Sequence, residues 1–244
     1  MDRAKEPAKE PTKEAANESV KEAVEDRRDA RSGAAGDVTD GIRAGIAAER
    51  RELADLFEGL GADEWNAPSL CEGWRVREVV AHMSMGFRLS LPATLGELVK
   101  ARGNLHRMTG RVARRDAAAH SVSELSSFLR DNAHHPWTPP VGGFRSALGH
   151  DVVHGLDVTA ALGLDRRVPE DRLRVLLDDI KPRGLKFFGV DLAGVRLCAE
   201  DMDWSYGSGT PVYGAAQDLL LLAFGRRLPY GRLRGEASSR FTGR

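Results

Sequence analysis

Two histidines, His150 and His154, stand four residues apart in a stretch from about Phe144 to Leu162 that reads as a helix. On a helix that spacing projects both rings from one face, so the pair can take two adjacent positions on one metal ion. A third histidine, His82, lies on the border of the apolar face of another predicted helix. Three imidazoles with one open position form a catalytic-type site for zinc or a similar divalent ion. The spacing alone fits capped or surface histidines equally well, and it leaves both readings open. A ligating histidine usually donates its other N–H to a carboxylate or carbonyl. Asp151 adjoins His150 and Asp157 follows His154 by three; Asp157 is the better placed, its alternative being a helix-surface charge. His134 and His135 in a proline-rich stretch, and His106 and His120 in polar surroundings, read as exposed. Cys71 precedes His82 by eleven residues, most of them counted as helical, which separates the two by roughly 10–16 Å. It therefore reads as a packed structural cysteine, and Cys198 falls in another part of the chain.

Amphipathic helices must position these groups. Thr39 or Asp40 can cap a first helix carrying Ile42, Ile46, Leu53, Leu56, Phe57 and Leu60. A loop over Gly61–Gly73 follows. The second helix, from about Arg75 to Leu91, shows Val76, Val79, Val80, Met83 and Phe87 at three-and-four spacing, with Pro92 bending or ending it. Residues 95–120 are helical in pattern, although less clearly. Ser121 and Glu124 form a capping box ahead of Leu125, Phe128 and Leu129. Prolines and glycines between His134 and Gly143 make a loop, and Gly163 closes the helix that carries His150 and His154. Four long amphipathic helices of this kind assemble as a bundle. Beyond about residue 166 the pattern changes: a helix from Pro169 to about Leu185, a short alternating strand at Val195–Ala199, turn-rich residues Trp204–Gly209 edging a second strand or hairpin, and a buried helix at Ala215–Phe224. The expected fold is mainly α, with a helical bundle over 37–165 and a small α+β domain over 166–244.

Composition bounds the function. The chain has 244 residues, with 36 Lys+Arg against 36 Asp+Glu, so it lacks the basic excess of a dedicated nucleic-acid binder. The longest strongly apolar run, Leu219–Phe224, falls far short of the roughly 20 residues a membrane span needs. Residues 1–36 contain no Leu, Ile, Phe, Trp or Tyr and read as a disordered charged tail. Two cysteines and no secretory pattern point to the reducing cytoplasm. Neither nucleic acid nor membrane is expected as a partner.

Three blocks carry a resemblance. The run Pro68–His82 (PSLCEGWRVREVVAH), the run His150–Asp157 (HDVVHGLD) followed by Ala161–Gly163, and the segments Val195–Leu197, Asp201–Gly209 and Leu219–Arg226 resemble, in that order, the mycothiol-dependent maleylpyruvate isomerase family, actinobacterial members of the DinB-like superfamily. The similarity covers about 38–240. It implies a DinB-like four-helix metal-binding bundle with an appended α+β domain. It implies a divalent ion, usually zinc, held at His82, His150 and His154, and the thiol mycothiol as cosubstrate. The isomerase pattern has an acidic residue where this chain has His150, whereas the wider superfamily commonly uses three histidines. A thiol reaching the open position would bind as thiolate and attack a small electrophile, for isomerisation or conjugation. The family's C-terminal arginine makes Arg226 the candidate catalytic group, binding a substrate carboxylate, with Arg227 as its rival in sequence. The implied protein is a mycothiol-dependent isomerase or S-transferase, monomeric or homodimeric. The alternative is a non-catalytic metal- or ligand-binding module in regulation or stress response.

Overall fold

A computed structural model describes residues 13–243, with side chains from Gly36 onward. The chain divides into two units at Gly41/Ile42. Helix α1 (Lys13–Glu58) is helical well upstream of the start near Val38 that the sequence suggests. Alanine, glutamate and lysine, all strong helix formers, are abundant in that interval. The tail expected over 1–36 falls partly on residues 1–12, outside the described residues.

The remaining helices follow as α2 (Ala62–Asn66), α3 (Val76–Arg88), α4 (Leu91–Lys100), α5 (Leu105–Ala119), α6 (Val122–Asp131), α7 (Gly143–Thr159), α8 (Glu170–Leu177), α9 (Pro182–Phe187) and α10 (Ala216–Ala223). Proline explains two departures from the sequence reading. Pro92 opens α4, where the Ser90 side chain caps Ala93 N–H, because a residue without an N–H is tolerated in a first helical turn. Pro182 likewise starts α9 and splits the single helix expected over 169–185. The expected 95–120 stretch is two helices, broken where Arg102 and Gly103 take left-handed φ of 56° and 74°. The Ser121–Glu124 capping box at α6 forms as expected.

The bundle closes around α3, which packs on α5, α6 and α7. Leu53 and Phe57 of α1 share a core with Val76, Val79, Val80 and Met83 of α3, Leu125 and Leu129 of α6, and Val158 of α7. Helices α1 and α7 approach closely at Gly155, where a Cβ would come within 2.7 Å of the Leu53 side chain. Arg130 of α6 bridges to Asp55 and Glu58 of α1.

The C-terminal part is a four-stranded sheet in the order β2-β1-β3-β4, with β1 Val195–Ala199, β2 Ser205–Gly207, β3 Thr210–Gly214 and β4 Leu233–Arg234. β1 lies antiparallel to β2 and parallel to β3, with Leu197 opposite both Tyr206 and Val212. The chain therefore crosses the start of β1 within two residues, Ser208 and Gly209. Only glycine fits that crossing: Gly209 has φ 119°, and a Cβ there would lie 2.2 Å from the Gly194 carbonyl oxygen. One core joins Leu148, Val152 and Leu156 of α7 to Leu173 and Leu177 of α8, Leu219–Leu222 of α10, and Val195, Leu197 and Val212 of the sheet. The C-terminal residues are thus built onto the helix that carries two of the histidines. Gly209→Ala is expected to cost at least about 1–3 kcal/mol through backbone strain and the clash, read as a lower denaturant midpoint.

Candidate metal centre

Helix α3 carries His82, and α7 carries His150 and His154. Packing of α3 on α7 brings the three rings together, with His82 Nε2 3.3 Å from His150 Nε2. Ring centroids are 5.1 Å apart for His82 and His150 and 4.9 Å for each of the other two pairs. One ligating nitrogen from each histidine lies within 4.8 Å of the others. Among the described residues, no fourth histidine, cysteine or carboxylate joins this group.

The nitrogen each ring turns to the centre is set by what holds the other. His150 Nδ1 is 2.8 Å from Asp151 Oδ1, and His154 Nδ1 is 3.0 Å from Asp157 Oδ2. Each carboxylate is held in turn by an arginine. Arg50 Nε donates to Asp151 Oδ2 at 2.7 Å. Arg226 donates to both oxygens of Asp157, Nε to Oδ1 at 2.8 Å and Nη2 to Oδ2 at 2.7 Å. Both sequence-level carboxylate candidates therefore bind a histidine. His82 is different, because its buried Nδ1 has no partner among the described residues. Two walls are aromatic: Trp74 lies 5.0 Å from His82, and Trp137 lies 5.2 Å from His150, both between ring centroids. Trp137 rests on Gly86 of α3, where a Cβ would fall 2.1 Å from its ring.

Burial sets the charge state. It pushes the His82 pKa well below the usual histidine range, and the charges of His154, His150 and Arg226 act in the same direction. Burial also lowers the His154 pKa, outweighing the Asp157 hydrogen bond. Burial opposes ionisation of Asp157, but hydrogen bonds from Arg226 and His154, with their charges, overcome it and hold the pKa at about 2. Imidazoles whose second nitrogen is held by a carboxylate are the donor set a divalent cation requires, and burial keeps His82 and His154 in the neutral form that ligates, so these residues fit such an ion.

Two residues sit where sequence reasoning did not place them. Cys71 Sγ is 3.0 Å from Asp157 Oδ2 and 3.6 Å from His154 Nδ1. The helical rise does not apply over Cys71–Arg75, because α3 begins only at Val76 and the residues before it fold back. Ser69 N–H donates to the Trp74 carbonyl, and Leu70 N–H donates to the Asp157 carbonyl at 3.0 Å. Burial, then the Asp157 charge, pushes the Cys71 thiol up, so its S–H donates to that carboxylate. Arg50 is fully buried on α1 and also donates to the Asn132 and His135 carbonyls, 3.0 Å each. It thereby ties the loop that carries Trp137 to the carboxylate behind His150. An arginine beside another arginine in a helix reads as surface, so no sequence signal marked it. Arg226 lies just after α10, where Gly225 at φ 79° reverses the chain. Its third nitrogen, Nη1, donates to the Phe224 carbonyl. His106, His134 and His135 are exposed and His120 is half-buried; none of the four is in the cluster.

Residues 46–158 match the family model for the mycothiol maleylpyruvate isomerase N-terminal domain. That segment, 113 of the 244 residues, is similar to this domain. The matched domain contains Cys71, His82, His150, His154 and Asp157, whereas Arg226 lies beyond it. Two solved structures are matched at low identity. One is mycothiol-dependent maleylpyruvate isomerase, 15% identical with a TM-score of 0.48, over 82% of this chain and 93% of that one. The other is a histidine-to-alanine mutant of that enzyme, 14% identical with the same TM-score and the same coverage. No curated protein matches the chain.

The Asp157–Arg226 pair makes an acid-stability prediction. With a native pKa of about 2 against an ordinary value of 3.8, Asp157 stabilises the fold by roughly 2 kcal/mol above about pH 4. That contribution is lost as pH falls towards 2. Arg226→Gln leaves the buried carboxylate unpaired, at a cost of about 3–5 kcal/mol. The acid-unfolding midpoint, followed by circular dichroism, is expected to move to higher pH.

Proposed function

We propose that this chain is a divalent-metal- and mycothiol-dependent isomerase or S-transferase acting on a small electrophilic substrate. The observation that carries the reading is the convergence of His82, His150 and His154, with the second nitrogen of two rings already held by Asp151 and Asp157. The match of residues 46–158 to that family model supports mycothiol as the thiol. Zinc is the expected ion, because three imidazoles and one open position suit it. Such an ion supplies Lewis-acidic charge that favours the anionic form of a thiol brought beside it.

The chain's own residues prepare that chemistry. His82 and His154 stay neutral through burial and keep lone pairs available. Asp151 and Asp157 fix ring orientation by accepting the Nδ1 protons. Trp74 and Trp137 wall the centre and limit water, which strengthens electrostatic interactions inside it. Cys71 is held as a thiol against Asp157, so the nucleophilic sulfur is assigned to the cosubstrate. Arg226 was the sequence candidate for a substrate carboxylate. It also positions Asp157 behind His154 through Nε and Nη2, while Nη1 donates to the Phe224 carbonyl.

Metal analysis of purified protein is expected to find about one ion per chain. His82→Ala, His150→Ala and His154→Ala should each lose most of it, and His106→Ala should keep it. Full retention by His150→Ala removes that residue from the ligand set. In the cobalt-substituted protein, mycothiol is expected to raise a near-ultraviolet sulfur-to-metal charge-transfer band that saturates with thiol. A spectrum unmoved by mycothiol and by simpler thiols favours the non-catalytic binding module.

A further inference from the structure

Helix α4 turns an apolar face to solvent. Leu91, Leu95 and Val99 follow one another at intervals of four, so they share one face, and they are 73%, 54% and 77% exposed. Leu105, at the start of α5, is 55% exposed. The packed side of α4 adjoins this face: Leu98 and Ala101 meet Met85, Met108 and Val112, and the Glu97 carboxylate is bound by Lys100, Arg111 and Arg115. A solvent-facing helix side normally carries polar groups, and large apolar groups there mark a contact surface. Such high exposures describe a ridge, and at Gly96 a Cβ would meet nothing within 4 Å.

Charge identifies what the ridge fits. The whole chain is neutral, but residues 79–116 contain Arg88, Lys100, Arg102, Arg107, Arg111, Arg114 and Arg115 against two buried acids, Glu97 and Asp116. Lys100, Arg102 and Arg107 are exposed beside the apolar residues, and from Leu91 to Arg107 the only carboxylate is that of Glu97. A second copy of the chain would bring basic groups against basic groups. Four apolar side chains are also few against the roughly 20–30 residues a side of a stable dimer. An apolar ridge with a cationic rim fits an interface of the opposite charge that needs no matching groove, and a lipid headgroup layer provides one.

We propose that the α4–α5 corner docks this protein peripherally on an anionic lipid surface. Leu91, Leu95, Val99 and Leu105 enter the headgroup boundary, while Lys100, Arg102 and Arg107 face the phosphates. This contact lies in the interface plane; no described helix is long and apolar enough to cross a membrane. It is independent of the metal reading.

Co-sedimentation of the full chain with vesicles tests it. Vesicles of 30% phosphatidylserine in phosphatidylcholine are expected to bind the protein at least ten-fold more strongly than phosphatidylcholine alone. Raising salt from 50 to 500 mM should remove most of that preference. Leu91→Asp/Leu95→Asp, both on the exposed face, should fold with an unchanged melting curve and lose at least ten-fold in binding. Lys100→Glu/Arg107→Glu should abolish the anionic preference. Equal recovery with both vesicle types, or full binding by the leucine double variant, overturns the proposal. A dimer in sedimentation velocity that Leu95→Asp dissociates, without vesicle binding, overturns it in favour of self-association. Capture of an acidic protein segment without vesicle binding overturns it in favour of a protein partner.

Discussion

The buried carboxylate of Asp157 is the constraint on which the rest of the centre depends. Its side chain accepts from His154 and Arg226 and from the Cys71 thiol, and its backbone carbonyl accepts from Leu70. Three separate parts of the chain thus meet at one residue of α7: the loop before α3, the histidine helix itself and the turn after α10. An ionised carboxylate is costly in an apolar interior unless it is fully paired. Those contacts therefore come as a set, and together they dictate where the loop and the C-terminal turn lie.

Around it the centre has a repeated plan. His150, Asp151 and Arg50 reproduce the order of His154, Asp157 and Arg226, with the arginines arriving from opposite ends of the chain. In each arm the arginine neutralises the carboxylate, which then holds the imidazole N–H and leaves the other nitrogen turned inward. His82 has no such arm, and its orientation rests on packing by Trp74 and on the rigidity of α3. The fold supports this by close approach: Gly155 lets α1 sit against α7, which brings Arg50 within reach of Asp151.

The C-terminal sheet serves the site indirectly. Its core is continuous with α7 through Leu148, Val152 and Leu156, so α10 and the turn at Gly225 are fixed relative to the histidine helix. Arg226 is rigidly delivered for that reason, although it lies some seventy positions from Asp157 in sequence. The basic and apolar corner formed by α4 and α5 stands on its own small core, with Glu97 and Asp116 the acids it carries.

Much of this was legible in the residues themselves. The i, i+4 pair His150 and His154, the apolar faces of the main bundle helices and the capping box at Ser121 are local patterns, because neighbours along a helix share a face whatever surrounds them. The alternation at Val195–Ala199 marked β1 for the same reason. Strands β3 and β4 gave no such signal: β3 contains Pro211 and two residues of β4 have no period, so both exist only through pairing with β1 and with each other. The placement of Cys71 could not be read either, since distance along a chain equals distance in space only while the helix continues, and here it does not. Nothing local marks Arg50, because burial of an arginine depends on the carboxylate that meets it, and that partner is 101 residues away. The sequence by itself determined which side chains share a helix face. Only the tertiary structure decided which nitrogen of each histidine points inward, because that choice belongs to hydrogen bonds and packing made across the fold.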